Sequence, residues 1–226
     1  MRKRNDECSF VSIRDVERVI KVTSWFLEKR DLIFERMLER EIADMTDTSY
    51  QESLSDLEKA FILALSVCYQ SRLQSNENRE AYRNAIRQEF SQEWPQNWIL
   101  CEILKCQNVF MDEIELKLNI ARNSALLENV FMMIICIELR IPLFIVGKPG
   151  SSKSLAKSIV ASAMVGRNSR SIFFRNLKET YFVNFQCSPL TTSEMILKAF
   201  RRAAKFQESN NLDRSVSSDL VIFHDA

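Results

Sequence analysis

Glycine occurs only three times in 226 residues, and two of the three, Gly147 and Gly150, lie within four positions of each other. Glycine supplies the left-handed and tightly turned backbone that other residues resist. A chain this poor in it has few tight turns and is predicted to be mostly helical. The pair at 147 and 150 then marks a place where the backbone needs freedom that other residues do not give.

The first hundred residues read as helix after helix. From Ser12 to about Arg30, apolar residues at Ile13, Val16, Val19, Ile20, Val22, Trp25, Phe26 and Leu27 keep close to a 3.6-residue period. A second helix is expected from about Asp31 to Asp44. Ser55, Asp56 and Glu58 open an apolar segment, Ala60 to Tyr69, that reads as a buried helix. The polar stretch Gln74 to Arg79 reads as a loop, and Ala81 to Phe90 as another helix. Trp94-Pro95 breaks it, because proline disfavours helix in the residue before it.

The pattern changes near residue 120. Asn123 and Ser124 can cap a helix through about Arg140, and Pro142 stops it. Leu143-Phe-Ile-Val146 is a short continuous apolar run, the mark of a strand buried on both faces of a parallel sheet. Lys153 to Met164 reads as a helix ending near Gly166, a plausible C-cap. Tyr181–Phe185 and Leu220–Phe223 read as two further strands. Between them Thr191 and Glu194 suggest a capping box for a helix with Ile196, Ala199, Phe200 and Ala203 on one face. Strand–helix alternation from 143 onward predicts an α/β sheet. The expected organisation is a helical region over 1–110 and an α/β region over 120–226, with the boundary around 107–122. From Phe131 to Val146 the chain is apolar enough to suggest a membrane span. Glu138, Arg140 and Pro142 interrupt it before about 18 apolar residues accumulate.

The loop between the first predicted strand and the following helix carries the chemistry. Gly147-Lys148-Pro149-Gly150-Ser151-Ser152-Lys153-Ser154 resembles the phosphate-binding pattern G-x-x-x-x-G-K-[ST]. A polyphosphate concentrates negative charge and needs many donors around it. A loop running into a helix start delivers backbone N–H groups and the positive end of the helix dipole. Lys153 stands where a lysine reaches the β- and γ-phosphates of ATP, and Ser154 where a hydroxyl holds Mg²⁺. Ser152 replaces the second glycine of the pattern, placing a side chain where the backbone needs an unusual conformation or close approach to phosphate. Leu220-Val-Ile-Phe-His-Asp225 fits the strand and aspartate that assist Mg²⁺ in such sites, so Asp225 is the candidate second metal ligand and catalytic carboxylate. Ala226 occupies the place of the usual glutamate, and a strand end whose aspartate has no role fits equally well.

With these residues in hand, the run Leu126 to Ala156, including Ile141-Pro-Leu-Phe-Ile-Val-Gly-Lys-Pro-Gly-Ser-Ser-Lys-Ser154, resembles the mysterin family of giant RING-finger AAA+ proteins. So does Phe185-Gln-Cys-Ser-Pro189, and the Ser-Ser-Lys-Ser variant resembles that family's own pattern. Ser9 to Arg18 resembles the helix opening an AAA+ lid, where an arginine can face the nucleotide; Arg14, or else Arg18, is the candidate, and a solvated charge at a helix start fits at least as well. The resemblance implies an AAA+ P-loop NTPase core, partial here, preceded by an all-α lid and linker region. It implies ATP and Mg²⁺ as ligands, and neighbouring AAA+ units of the same polypeptide and the ubiquitination machinery as partners. It also implies a cytoplasmic location with links to lipid droplets. The 226-residue chain alone is expected to bind ATP without turning it over. The competing reading is a helical interaction scaffold with a relic loop.

Charge and cysteines narrow the rest. With 31 basic and 30 acidic side chains the net charge is +1, which gives no footprint for a nucleic-acid partner. The six cysteines are scattered and follow a charged, non-secretory N-terminus, so reduced thiols are expected. Cys101 and Cys106 lack the second pair that a zinc site needs. Lys198, Arg201, Arg202 and Lys205 read as one solvated helix face.

Overall fold

The computed structural model describes residues 11–44, 54–90, 95–186, 188–213 and 219–225. Ser9, Trp94, Cys187 and Ala226, all named from the sequence, lie outside the described residues. The chain divides into two compact units, Met1–Val109 and Phe110–Ala226.

The first unit is helical throughout its described residues. Helices α1 (Ile13–Glu28), α2 (Arg30–Asp44), α3 (Asp56–Cys68) and α4 (Asn76–Gln88) lead into α5 (Trp98–Asp112), which runs across the division. Helix α1 starts where Ser12 and Asp15 exchange side chains: Asp15 N–H donates to Ser12 Oγ at 3.3 Å, and Ser12 N–H to Asp15 Oδ2 at 3.1 Å. Ser55 and Glu58 make the same reciprocal pair at the start of α3. Two otherwise unpaired donors are satisfied at each start. The inner face of α1 (Val19, Val22, Trp25 and Phe26) packs with Ile62, Leu63 and Val67 of α3 and Ile33, Phe34 and Met37 of α2 in one core. Arg72, in a single 3-10 turn after α3, donates to Asp15 Oδ1 at 2.8 Å and ties that turn to the start of α1. The Arg72 hydrogen bond, reinforced by Ser12, holds the Asp15 carboxyl well below the usual carboxylate range. Lys105 of α5 bridges Glu41 of α2 at 2.6 Å and Glu102 at 2.8 Å. Burial pulls its ammonium down, but the two carboxylates outweigh burial and leave it raised.

The predicted loop over 74–79 is shorter than its polarity suggests. Ser75 caps α4 by accepting from Asn78 N–H at 3.1 Å, so Asn76 to Arg79 form the helix's first turn. Polar residues suit an N-terminal turn as well as a loop.

In the second unit, α6 (Ser124–Leu139) starts at Asn123, whose side chain accepts from Leu126 N–H at 2.8 Å. It ends on Arg140 in the left-handed region, φ 54°. Ile141 N–H bonds back to Cys136 O at 2.8 Å and Pro142 follows, a closing pattern that usually employs glycine. Next come α7 (Lys153–Ala163), a short α8 (Ile172–Arg175), β1 (Thr180–Gln186), α9 (Ser193–Asp213) and β2 (Asp219–Asp225). β1 and β2 pair in parallel with Thr180 opposite Asp219 and Gln186 opposite Asp225. The connection through α9 makes a strand–helix–strand unit, as a parallel pair requires. Helix α9 rests on this pair by Ile196, Ala199 and Ala203, and Phe206 meets Tyr181 edge-on at 5.7 Å. The core holds Leu126, Val130, Phe131 and Ile134 of α6 with Ala156, Ile159 and Val160 of α7. Phe110 contacts Phe131 at 5.6 Å and Phe173 at 5.1 Å, both edge-to-face. Glu138, buried in α6, accepts from Lys178 N–H at 2.7 Å and so pins the approach to β1.

Three expectations need correction here. Leu143–Val146 is not a strand: it joins no ladder, with Phe144 90% and Val146 94% exposed. An apolar run becomes a buried strand only beside partners that accept and donate to it. Among the described residues the sheet contains β1 and β2 alone. Helix α7 stops at Ala163, three residues before Gly166. Gly166 instead opens a 3-10 turn at φ +57°, where a Cβ would lie 2.8 Å from the Glu179 side chain. The cap of α9 is Thr192, which accepts from Met195 N–H at 3.4 Å, whereas Thr191 Oγ1 accepts from Ser188 N–H at 2.8 Å.

Candidate phosphate-binding loop

The loop's shape follows from its residues in order. Ser151 N–H closes on Lys148 O at 3.2 Å, and Gly150 between them has φ +82°. Lys148-Pro149-Gly150-Ser151 is therefore a type II turn, with proline at the second position and glycine at the third, where φ must be positive. Ser152 follows at φ 60°, ψ 16° and caps α7 without a side-chain hydrogen bond. Its left-handed conformation is the one for which the usual pattern employs glycine, and costs a serine roughly 1–2 kcal/mol.

Lys153 is the first residue of α7 and curls back over the loop. Its Nζ donates to Gly147 O at 2.6 Å, Lys148 O at 3.0 Å and Ser151 Oγ at 3.1 Å. Gly147 leaves room for this closure, since a Cβ there would stand 2.7 Å from Ser151 Oγ and 3.8 Å from Lys153 Nζ. Asn129, reaching from α6, donates Nδ2 to Ser151 O at 2.9 Å. Ser152 O accepts Ala156 N–H at 2.9 Å, which begins the helical ladder. The N–H groups of Ser152, Lys153 and Ser154 donate to no acceptor among the described residues, as expected of a helix start open to an anion. Gly147 to Gly150 and Ser154 are exposed, and Ser151 to Lys153 half-buried.

The predicted residues thus fall into two groups. Gly147 through Ser154 form one closed loop at the N-terminus of α7, with the ammonium and three open N–H groups in three consecutive positions. Asp225 ends β2 as a backbone position opposite Gln186. Arg14 is exposed, and Arg18 stands 3.5 Å from Asp15 in the first unit. Sequence reasoning missed Asn129, which no spacing rule connects to a loop 22 residues on. It also missed the turn chemistry of Pro149-Gly150, a signal that was present.

The ligands expected at such a loop fit the donors found. Open N–H groups, the N-terminal dipole of an 11-residue helix and one lysine suit a polyphosphate. The exposed Ser154 hydroxyl suits one position on Mg²⁺, which takes few protein ligands and fills the rest with phosphate and water. No cluster of three or more His, Cys, Asp or Glu side chains that could hold a metal alone occurs among the described residues. No described helix is long and apolar enough to cross a membrane.

Loop and helix start present donors suited to an anion, and comparison with known proteins places the chain among AAA-domain proteins. Residues 119–225 match the family model described as the RNF213 AAA domain. Over 221 residues the chain is 46% identical to the human (Homo sapiens) E3 ubiquitin-protein ligase RNF213, covering 96% of this chain and 4% of that protein. It is 44% identical to the mouse (Mus musculus) E3 ubiquitin-protein ligase RNF213 and to the zebrafish (Danio rerio) E3 ubiquitin-protein ligase rnf213-beta, with the same shares covered. The chain belongs to the RNF213, or mysterin, family, and spans about 4% of the length of these relatives.

Proposed function

We propose that the chain is an ATP-binding segment of an AAA+ ATPase and that the loop 147–154 grips the phosphates of Mg·ATP. The observation that carries this reading is the closed loop itself. Lys153 lies folded over Gly147, Lys148 and Ser151 beside three open N–H groups at the start of α7. On binding, Lys153 would exchange loop carbonyls for the β- and γ-phosphates, and the N–H groups of Ser152 to Ser154 would hold phosphate oxygens. Ser154 would supply a hydroxyl to Mg²⁺, with Asp225 as a second ligand or catalytic carboxylate. ATP supplies the phosphoanhydride whose cleavage drives such machines; this chain's residues bind and orient it.

The same reading assigns residues 1–110 to a helical lid and linker region and 120–226 to the N-terminal part of a P-loop domain. Ubiquitin-ligase activity, which the relatives' names carry, would belong to the larger polypeptide, with a cytoplasmic and lipid-droplet-associated location. The purified chain is expected to bind a fluorescent ATP analogue in the presence of Mg²⁺, and Lys153→Ala to lose most of that binding. Equal affinity in both sinks the proposal. A relic loop within a helical scaffold is favoured only by Lys153 already being satisfied by the loop's own carbonyls, and it predicts no binding in either.

A further inference from the structure

Asn129 lies in α6, outside the loop and α7, yet its side-chain amide donates to Ser151 O at 2.9 Å. We infer that Asn129 is a positioning residue for phosphate binding, which holds the Ser151–Ser152 peptide in the orientation that the loop needs. This inference rests on the loop being a nucleotide site.

In a trans peptide the C=O and N–H point in opposite directions. With Ser151 O held toward α6, the Ser152 N–H points away from it. That N–H is open, and so are the next two, at Lys153 and Ser154. Fixing one peptide therefore fixes the first of three consecutive donors.

Ser152 makes the hold necessary. At φ 60° it occupies a conformation that glycine adopts freely and serine resists. The strain is comparable to the net worth of a single hydrogen bond, so losing the Asn129 amide is enough to let the peptide flip. The base of the hold is firm: the neighbours of Asn129 on α6, Leu126, Val130 and Met133, are buried, and α6 packs along α7. Anchor and strained serine are two halves of one device, in which the amide substitutes for the missing glycine.

That pairing gives the test. Mg·ATP affinity is measured on the full chain by fluorescent-nucleotide titration, with nucleotide-free melting and backbone amide exchange over 147–154 alongside. Asn129→Ala is expected to weaken binding about three- to tenfold and to speed exchange in the loop. Asn129→Asp keeps the shape but replaces the donor by an acceptor, and is expected to weaken binding at least as much. It also serves if alanine disturbs folding. Adding Ser152→Gly to either variant is expected to recover most of the affinity, because glycine no longer needs the hold. Unchanged affinity and loop exchange in both Asn129 variants overturn the inference and leave the nucleotide reading standing. Lowered melting without weaker binding, or no recovery with Ser152→Gly, likewise reduces Asn129 to a packing role. A wild-type chain that does not bind Mg·ATP overturns the nucleotide reading, and this inference with it.

Discussion

At Ser152 a side chain sits on backbone that favours glycine, and the consequence is measurable. Ser152→Gly relieves about 1–2 kcal/mol of left-handed strain and returns about 0.4–1 kcal/mol through the freer unfolded chain. A net gain of about 0.5–1 kcal/mol is expected, read as a higher urea midpoint at unchanged slope. Asp15 gives a pH-dependent counterpart. Its folded pKa lies below the ordinary 3.8 because Arg72 and Ser12 hold its charged form, so its contribution is complete at neutral pH. That contribution is lost as pH falls through and below the ordinary carboxylate range. Asp15→Asn should therefore lower the melting temperature at pH 7, with the gap closing as the solution is acidified; a constant gap would contradict the pairing. The special backbone at Gly147 and Gly150 was legible in the sequence because the chain uses glycine almost nowhere else. Asn129 was not, since a side chain reaching across 22 residues leaves no periodic trace.

Helices in this chain announce themselves locally. Ser12, Ser55 and Asn123 cap α1, α3 and α6, and each precedes an apolar period that continues for three turns or more. Strands answer to non-local partners, which is why β1 and β2 form where expected while Leu143–Val146 does not ladder. At the caps of α4 and α9 the sequence was ambiguous by a few positions, since neighbouring Ser, Thr and Asn residues compete for the same role. The packing beneath the loop makes its own prediction. Phe131 is 1% exposed, edge-on to Phe110, and Phe131→Ala should destabilise the second unit by about 3–5 kcal/mol, seen as a lower denaturation midpoint. Thiol reactivity reports the first unit in the same way. Burial pushes the Cys68 thiol up to about 11 and raises Cys106 well above the usual range, whereas Cys101 is exposed. Brief alkylation at pH 7.5 (about one unit below a free thiol's pKa) followed by peptide mapping should label Cys101 and spare Cys68 and Cys106. Early labelling of the buried pair would mean that α3 and α5 open readily.

As a whole, the chain is a helical unit followed by one that carries a strand–helix–strand element and a glycine-bearing loop at a helix start, and it spans about 4% of the length of the relatives it matches. Its near-neutral charge of +1 gives no broad field to attract an anion, so any affinity for polyphosphate must come from the loop's own donors. The most direct test is the melting temperature of the 226-residue chain with and without excess Mg·ATP, in wild type and Lys153→Ala. A ligand present at about 100 times its dissociation constant stabilises by about 2.7 kcal/mol. The account predicts a rise of several degrees for wild type and little or none for Lys153→Ala. No rise in wild type, or an equal rise in the variant, would contradict it.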